Sequence, residues 1–547
     1  MDARDRQRIC REVPQRIVDG VRARAGDDHD YSAALLNETI FAERERLRRK
    51  RTPARAEQKY YDALHRRLLE STPEQQLTLV GELAERFVSQ IVGPSSQRVY
   101  RAATTVVPAA LAMLLNLREP QRLLSLDNIT GGLSHQIALA SVFGDSSDEG
   151  IAALRALSER GTLIVVPTHV SNLDPMIMAY GLSLAGLPRF QFGGKAELFA
   201  NRATAFFMHT IGAYRVERKK NAALYKDVLK QYVTRALELG YHNIFFPGGT
   251  RSRSGAIESR LKKGLLGTAV GAFTRSLCEA RARGDEQLGR PIYIVPCAIS
   301  YKLVLEAETL IDSHLSAEGQ GAYIIEDDEL ARPTRVASYL SRLVSHGGKI
   351  TVTLGVPRDI VGNRVDSTGR SLDARGRPVS TRDYVLRDGE PHVDPQRDRV
   401  YTDELGERIV EDFRRLDVLR STHVVASALL DELRRRSPEL SIYRLLQTGG
   451  ETRSLRIEEV HQATARRVGE IAALADAGPR LGSDVKGVAA ETVVDDALEH
   501  FAIYHRRPAA RRRGDRVFLD NRNLVAYYAN RVAPYWDANA LRRFSPS

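Results

Sequence analysis

The sequence predicts an α/β protein with helical regions at both ends. Between about Leu126 and Pro357, short apolar runs (TLIVVP, FQFGG, NIFFP, YIVPCAIS, ITVTLGVP) alternate with stretches of helical character. Apolar runs of that kind are strands buried on both faces beneath helices. Before that zone, LTLVGELAERFVSQIV carries apolar residues at helical spacing, and after it STHVVASALLDELRRR does the same. At 547 residues the chain exceeds one ordinary core. Its expected division is a helical region over 1–125, an α/β domain over 126–360, a polar connection over 361–400 and a second helical region over 401–547. The connection is rich in Asp, Arg, Gly and Ser, a composition that favours exposed turns. No internal repeat of fixed period is expected.

Composition bounds the chemistry. Three cysteines, Cys10, Cys278 and Cys297, are too few and too scattered for a disulfide framework or a thiolate metal site, so a cytoplasmic setting is expected. The opening MDARDRQRICREVPQRIVDG lacks the continuous apolar centre of an export signal. The most apolar window, Ala102 to Leu117, is shorter than the roughly 20 residues that span a bilayer, and Pro108 interrupts it. No transmembrane helix is therefore expected. With Arg101, Arg118 and Arg122 around it, the window suits either a membrane headgroup boundary or a buried core helix.

A formal charge of +12 draws anionic partners: nucleic acid, an acidic membrane face or phosphorylated substrates. The run RERLRRKR reads as a solvated helix face. The cluster HRRPAARRRGDR lacks the aromatic stacking residues, zinc ligands or RNA-binding signature that nucleic-acid recognition needs, so no nucleic-acid partner is expected.

Four blocks carry candidate chemistry. After TLIVVP comes THVSNLDP, in which Asp174 follows His169 at a spacing that lets the carboxylate hold one imidazole nitrogen and leave the other as a base. Such a pair arises about once per chain by chance. Its place just past a strand gives it weight, because α/β sheets put functional groups there. Next, GAYRVERKK sets Arg218 before a helix, where a guanidinium fork matches phosphate oxygens. Third, in IFFPGGTRSRSG the glycines Gly248 and Gly249 permit positive φ and close backbone approach, and Arg251 and Arg253 can face one anion from an extended segment. The fourth block, PIYIVPCAISYK, reads as a buried strand.

In this order and spacing the blocks resemble the glycerol-3-phosphate acyltransferase and lysophosphatidate acyltransferase superfamily, over about Gly161 to Tyr301. The resemblance implies a mixed sheet flanked by helices. It implies His169 and Asp174 as the catalytic His-x4-Asp pair. Arg218, Gly249, Thr250, Arg251, Ser252 and Arg253 become the binding residues for the acceptor's phosphate. The implied reaction is acyl transfer from acyl-CoA or acyl-ACP to the hydroxyl of glycerol-3-phosphate, with no cofactor and no metal. SYK after the fourth motif favours the glycerol-3-phosphate branch. Long-chain acyl substrates and basic charge together imply peripheral attachment to an anionic, cytoplasm-facing membrane surface.

Other readings stay open on sequence alone: acylation of lysophosphatidate, a non-catalytic lipid-binding relative and, last, a nucleic-acid binder. One residue departs from the pattern. Gly248 stands where the family has glutamate, and another acid such as Glu258, or an altered acceptor, is expected to compensate.

Overall fold

The computed structural model describes residues 1–92 (less 27, 29 and 50–54), 148–199, 205, 208, 212–284, 289–319, 350–440, 442–447, 454–474, 478–503, 505 and 507–535. The apolar window Ala102 to Leu117 lies outside the described residues. No helix among them is long and apolar enough to cross a membrane.

The centre is a mixed sheet of six strands: β1 (Thr162–Pro167), β2 (Gln191–Lys195), β3 (Ala213–Val216), β4 (Asn243–Ile244), β5 (Ile292–Tyr301) and β6 (Ile350–Leu354), in the order β3-β2-β4-β1-β5-β6. Every apolar run singled out in the sequence contributes a strand. Each paired neighbour from β3 to β5 is parallel, with Thr162 opposite Ile292 through Pro167 opposite Cys297. β6 closes the edge antiparallel to β5. β1 and β5 are buried along their whole length, as strands covered on both faces must be.

Side-chain alternation divides the interior into two cores. Leu163 and Val165 of β1 and Tyr293, Val295, Cys297 and Ile299 of β5 face one side. That side is covered by α5 (Asp148–Arg160), α6 (Asp174–Leu184), α9 (Ala307–Gly319) and helices of the C-terminal region. Ile164, Val166, Ile292 and Ile294 face the other, which is covered by N-terminal helices together with α7 (Ala223–Glu238) and α8 (Thr268–Ala282).

The N-terminal layer comprises α1 (Ala3–Ala25), α2 (Tyr31–Arg48), α3 (Arg55–Leu69) and α4 (Pro73–Val92). In α1, Ile9, Val13, Ile17 and Val21 recur every four residues and are buried, forming the stripe that docks on α4 and α7. Asp2 caps its start by accepting from the Asp5 N–H at 2.8 Å. Charge closes the seam with α7: Arg16 grips Glu238 through both terminal nitrogens at 2.8 and 2.9 Å.

Past the sheet, the segment 361–400 has local order that its composition hides. DIVGN, DSTGR and DARGR recur every seven residues, starting at Asp359, Asp366 and Asp373. In each, Oδ1 of the aspartate accepts backbone N–H groups two and four residues on. The glycine then turns left-handed, at φ 92° for Gly362, 88° for Gly369 and 76° for Gly376. Short strands β7 (Arg364–Val365), β8 (Ser371–Leu372) and β9 (Pro378–Val379) zip between successive turns. The expectation of no repeat is corrected here: the repeat is too short and too polar to register as an apolar period.

The C-terminal region includes α10 (Pro395–Leu416), α11 (Ser421–Arg436), α12 (Ile457–Ala472), α13 (Ala490–Ile503) and α14 (Arg522–Ala529). It is bonded to β5. Asp417, fully buried, takes Arg531 Nε at 2.9 Å and Nη2 at 2.6 Å, and accepts the Ser300 hydroxyl at 3.0 Å. Arg531 Nη2 also donates to the Ile299 carbonyl at 3.2 Å. Lys302, next in β5's path, reaches Asp496 at 2.7 Å. Removing one partner of a buried ion pair strands the other charge. Arg531→Met is therefore expected to cost about 3–5 kcal/mol, read as a lowered urea midpoint; an unchanged midpoint would show that the pair does not hold this region to the sheet.

Candidate active site

The parallel strands deliver their following loops to one edge of the sheet, where α/β folds place ligands. The turn after β1 brings His169 to this edge, the turn after β3 brings Arg218, and the long loop after β4 brings Gly249, Thr250, Arg251, Ser252 and Arg253.

His169 is 7% exposed and Asp174 fully buried. Asp174 opens α6, and its Oδ2 lies 2.8 Å from His169 Nδ1. The same oxygen accepts the N–H groups of Val170 at 2.7 Å and Ser171 at 2.9 Å. The second oxygen, Oδ1, accepts the Tyr301 hydroxyl at 2.5 Å. An ionised carboxylate only accepts, so Nδ1 carries a ring proton, and in the neutral tautomer this leaves Nε2 with the free lone pair. Phe246 stacks obliquely on the imidazole, with ring centroids 4.6 Å apart. The arrangement fixes the ring's orientation and directs Nε2, the nitrogen that takes a proton in a neutral imidazole, away from Asp174.

The arginine loop is tied to the histidine loop at several points. Ser252 N–H donates to the His169 carbonyl at 2.8 Å, and the Ser252 hydroxyl closes its own loop on the Ala256 carbonyl at 2.6 Å. Arg251 Nη1 lies 3.2 Å from Oε1 of buried Glu306. Glu306 in turn accepts the Asn172 N–H and the Ser171 hydroxyl, both at 2.9 Å. Burial pushes the Glu306 carboxyl above the ordinary carboxylate range, while Arg251 and the Asn172 and Ser171 donors pull it back.

The glycines differ. Gly249 adopts φ 69°, a left-handed conformation that favours glycine. Of the two glycines that permit positive φ, Gly248 does not use it.

Of the expected site residues, the structure brings His169, Asp174, Arg251 and Ser252 into one bonded network. Thr250 is exposed at the tip of the turn. Arg253 is half-buried, with no ion-pair partner among the described residues. Arg218 is exposed beyond β3, which β2 and β4 separate from β1, so it shares the edge but not the network. Among the described residues no group of three or more metal-ligating side chains gathers.

Sequence reasoning missed Tyr301 and Glu306. Tyr301 lay within a strand read as core. The signal for Glu306 was an acid set directly after the apolar run LVL, since a carboxylate among such neighbours must find donors. Tyr301→Phe removes one donor from Asp174 without changing shape. A hydrogen bond to a charged group is worth about 1.5–3 kcal/mol, so the turnover supported by His169 should fall roughly 10-fold or more. Unchanged turnover at every pH would show that the Tyr301 hydroxyl does not help fix Asp174.

The geometry agrees with what the chain is similar to. Residues 150–300 match the family model described as Acyltransferase. Over 165 residues the chain is 30% identical to a glycerol-3-phosphate acyltransferase of Aeromonas hydrophila, a stretch covering 30% of this chain and 19% of that protein. Over 171 residues it is 28% identical to a glycerol-3-phosphate acyltransferase of Xylella fastidiosa, covering 31% of this chain and 18% of that protein. The match therefore spans less than a fifth of these curated relatives. A solved structure, the 1-acyl-sn-glycerophosphate (LPA) acyltransferase PlsC of Thermotoga maritima, aligns with 57% of this chain and 97% of its own at 15% identity and a TM-score of 0.24, too slight a likeness to carry weight. The stretch that matches the Acyltransferase family model holds both the His169–Asp174 loop and the Arg251 loop, and the chain is similar over part of its length to glycerol-3-phosphate acyltransferases.

Proposed function

We propose that this protein is an O-acyltransferase that moves a fatty acyl group from an acyl thioester, acyl-CoA or acyl-ACP, to the hydroxyl of glycerol-3-phosphate. The observation that carries the reading is the imidazole of His169, locked through Nδ1 by a buried carboxylate and bonded through its own carbonyl to the loop that bears Arg251 and Arg253. A base and a cationic loop joined at one backbone suit an acceptor that has a hydroxyl at one end and a phosphate at the other.

In the proposed reaction Nε2 of His169 takes the proton from the acceptor hydroxyl as that oxygen attacks the thioester carbonyl carbon. Asp174 stabilises the imidazolium that forms. The tetrahedral adduct collapses, the carbon–sulfur bond breaks, and the imidazolium returns its proton to the departing thiolate. Ester and free thiol are the products, and no acyl-enzyme forms. Arg251 and Arg253 hold the acceptor's phosphate, with Gly249, Thr250 and Ser252 shaping the turn that presents them; Arg218 joins them from the same edge. Fixing the acceptor by its phosphate converts a collision into a positioned attack.

Release of free thiol from acyl-CoA and acyl-ACP in the presence of glycerol-3-phosphate tests the reading. His169→Ala should lower turnover by about 10²–10⁴-fold. Arg251→Ala should chiefly raise the acceptor KM. Lysophosphatidate run as a parallel acceptor separates the two branches. Equal thiol release by wild type and His169→Ala, or none with any pairing, would end the proposal.

A net charge of +12 and a long-chain substrate support work at an anionic membrane surface. Flotation with anionic vesicles at low salt should carry the protein upward, and added salt should release it. Failure to float would remove the membrane from the reading.

A further inference from the structure

Gly248 poses a question that its backbone does not answer. Its φ is outside the left-handed region, so the chain there accepts any side chain. What would crowd one is Glu258. A β-carbon on Gly248 would lie 3.1 Å from Glu258 Cγ and 3.1 Å from Glu258 Oε1, with the Thr250 carbonyl oxygen at 3.2 Å. Those distances are tighter than ordinary van der Waals contact. The space that a side chain at 248 would enter is already filled by a carboxylate from later in the same loop.

That carboxylate is engaged with the histidine loop. Glu258 Oε1 accepts the backbone N–H of His169 at 2.6 Å, while the His169 carbonyl receives the Ser252 N–H. The peptide groups on both sides of the base are therefore held by the arginine loop. Oε2 of Glu258 is buried and has no hydrogen-bond partner among the described residues. A buried, half-satisfied carboxylate costs stability, and a fold keeps such a group where its position serves the site.

We propose that Glu258 is the positioning carboxylate of this acyltransferase site, transposed along the loop into the slot left by Gly248, and that it sets the placement of His169. The inference rests on the proposed acyl transfer. Burial supports it by raising the Glu258 carboxyl to about 7, with the His169 N–H and Arg531 of α14 pulling it down and Asp174 of α6 pushing it up. In a fold that raises the value of an acid, the folded state binds the proton more tightly than the unfolded chain. Stability from this group is present at low pH and lost as pH rises from about 4.5 to about 7.

The test is an exchange of the carboxylate between the two positions, with four variants assayed beside wild type. Glu258→Gln keeps the shape and removes the charge; it should be at least as thermally stable as wild type at pH 8, with kcat reduced about 10-fold or more and the acceptor KM little changed. Glu258→Gly should lose as much kcat or more. Gly248→Glu alone crowds an occupied slot, so both melting temperature and kcat should drop. The double variant Gly248→Glu/Glu258→Gly should regain melting temperature and kcat to within about 3-fold of wild type, since the carboxylate again has one place to sit. A folded Glu258→Gly with wild-type kcat overturns the proposal. So does a double variant no more active than Glu258→Gly. If wild type transfers no acyl group, the functional reading fails. The shared slot is then judged on melting temperature alone, and is overturned if Gly248→Glu is as stable as wild type.

Discussion

The buried carboxylate of Asp174 is the constraint on which the site depends. One side chain receives the His169 ring, the N–H groups of Val170 and Ser171, and the Tyr301 hydroxyl. Those donors offset the cost of burying its charge, and they come from two places, the loop between β1 and α6 and the end of β5. The ring comes from the loop after β1, the two N–H groups belong to the turn that leads into α6, and the hydroxyl is at the end of β5. The carboxylate also sits in the first turn of α6, where the helix dipole favours negative charge. Moving any one of these elements leaves a buried charge short of a partner, so the histidine's orientation is tied to the integrity of the sheet.

Two more carboxylates extend that logic to the loop after β4. Glu306 joins Arg251 to Ser171 and Asn172, and Glu258 joins the loop to the His169 N–H. The base and the cationic loop are therefore neighbours through acids, not by direct contact between imidazole and guanidinium. This is physically sensible, because a cation held against the imidazole would disfavour its protonated form. Glu306 lies between the Arg251 guanidinium and the histidine loop, so the arginine's charge is partly balanced on the side of that loop.

The legible and illegible parts of the sequence divide along one physical line. Strands such as TLIVVP and YIVPCAIS could be read because continuous burial writes itself as continuous apolarity, and His169 with Asp174 could be read because both fall within one turn of chain. Tyr301 and Glu306 could not be joined to them. Tyr301 meets Asp174 across 127 residues and Glu306 meets Ser171 across 135, separations set by the strand register and not by any local pattern. The turns at Asp359, Asp366 and Asp373 were hidden for another reason: their order rests on side-chain to backbone bonds, which leave composition as polar as that of a loop. Position 248 shows the limit of motif reading. The residue that occupies the expected space is read from a different place in the chain.

Near the site, the C-terminal helices belong to the scaffold. A β-carbon on Gly255 would lie 2.0 Å from the Tyr527 carbonyl oxygen, so α14 presses its backbone directly on the loop that carries the arginines. That approach requires glycine twice over, since Gly255 also has φ 83°. Asn530 adds a hydrogen bond from Nδ2 to the Ser254 carbonyl at 2.9 Å. The next residue, Arg531, is pinned to Asp417 and to the Ile299 carbonyl of β5, and its charge also acts on Glu258. Docking of α14 on the sheet therefore fixes the back of the arginine loop while the histidine loop fixes its front. A loop carrying several like charges, which repulsion and solvation would otherwise spread, is thus tied on both sides, and a loop so tied has less conformational entropy left to lose.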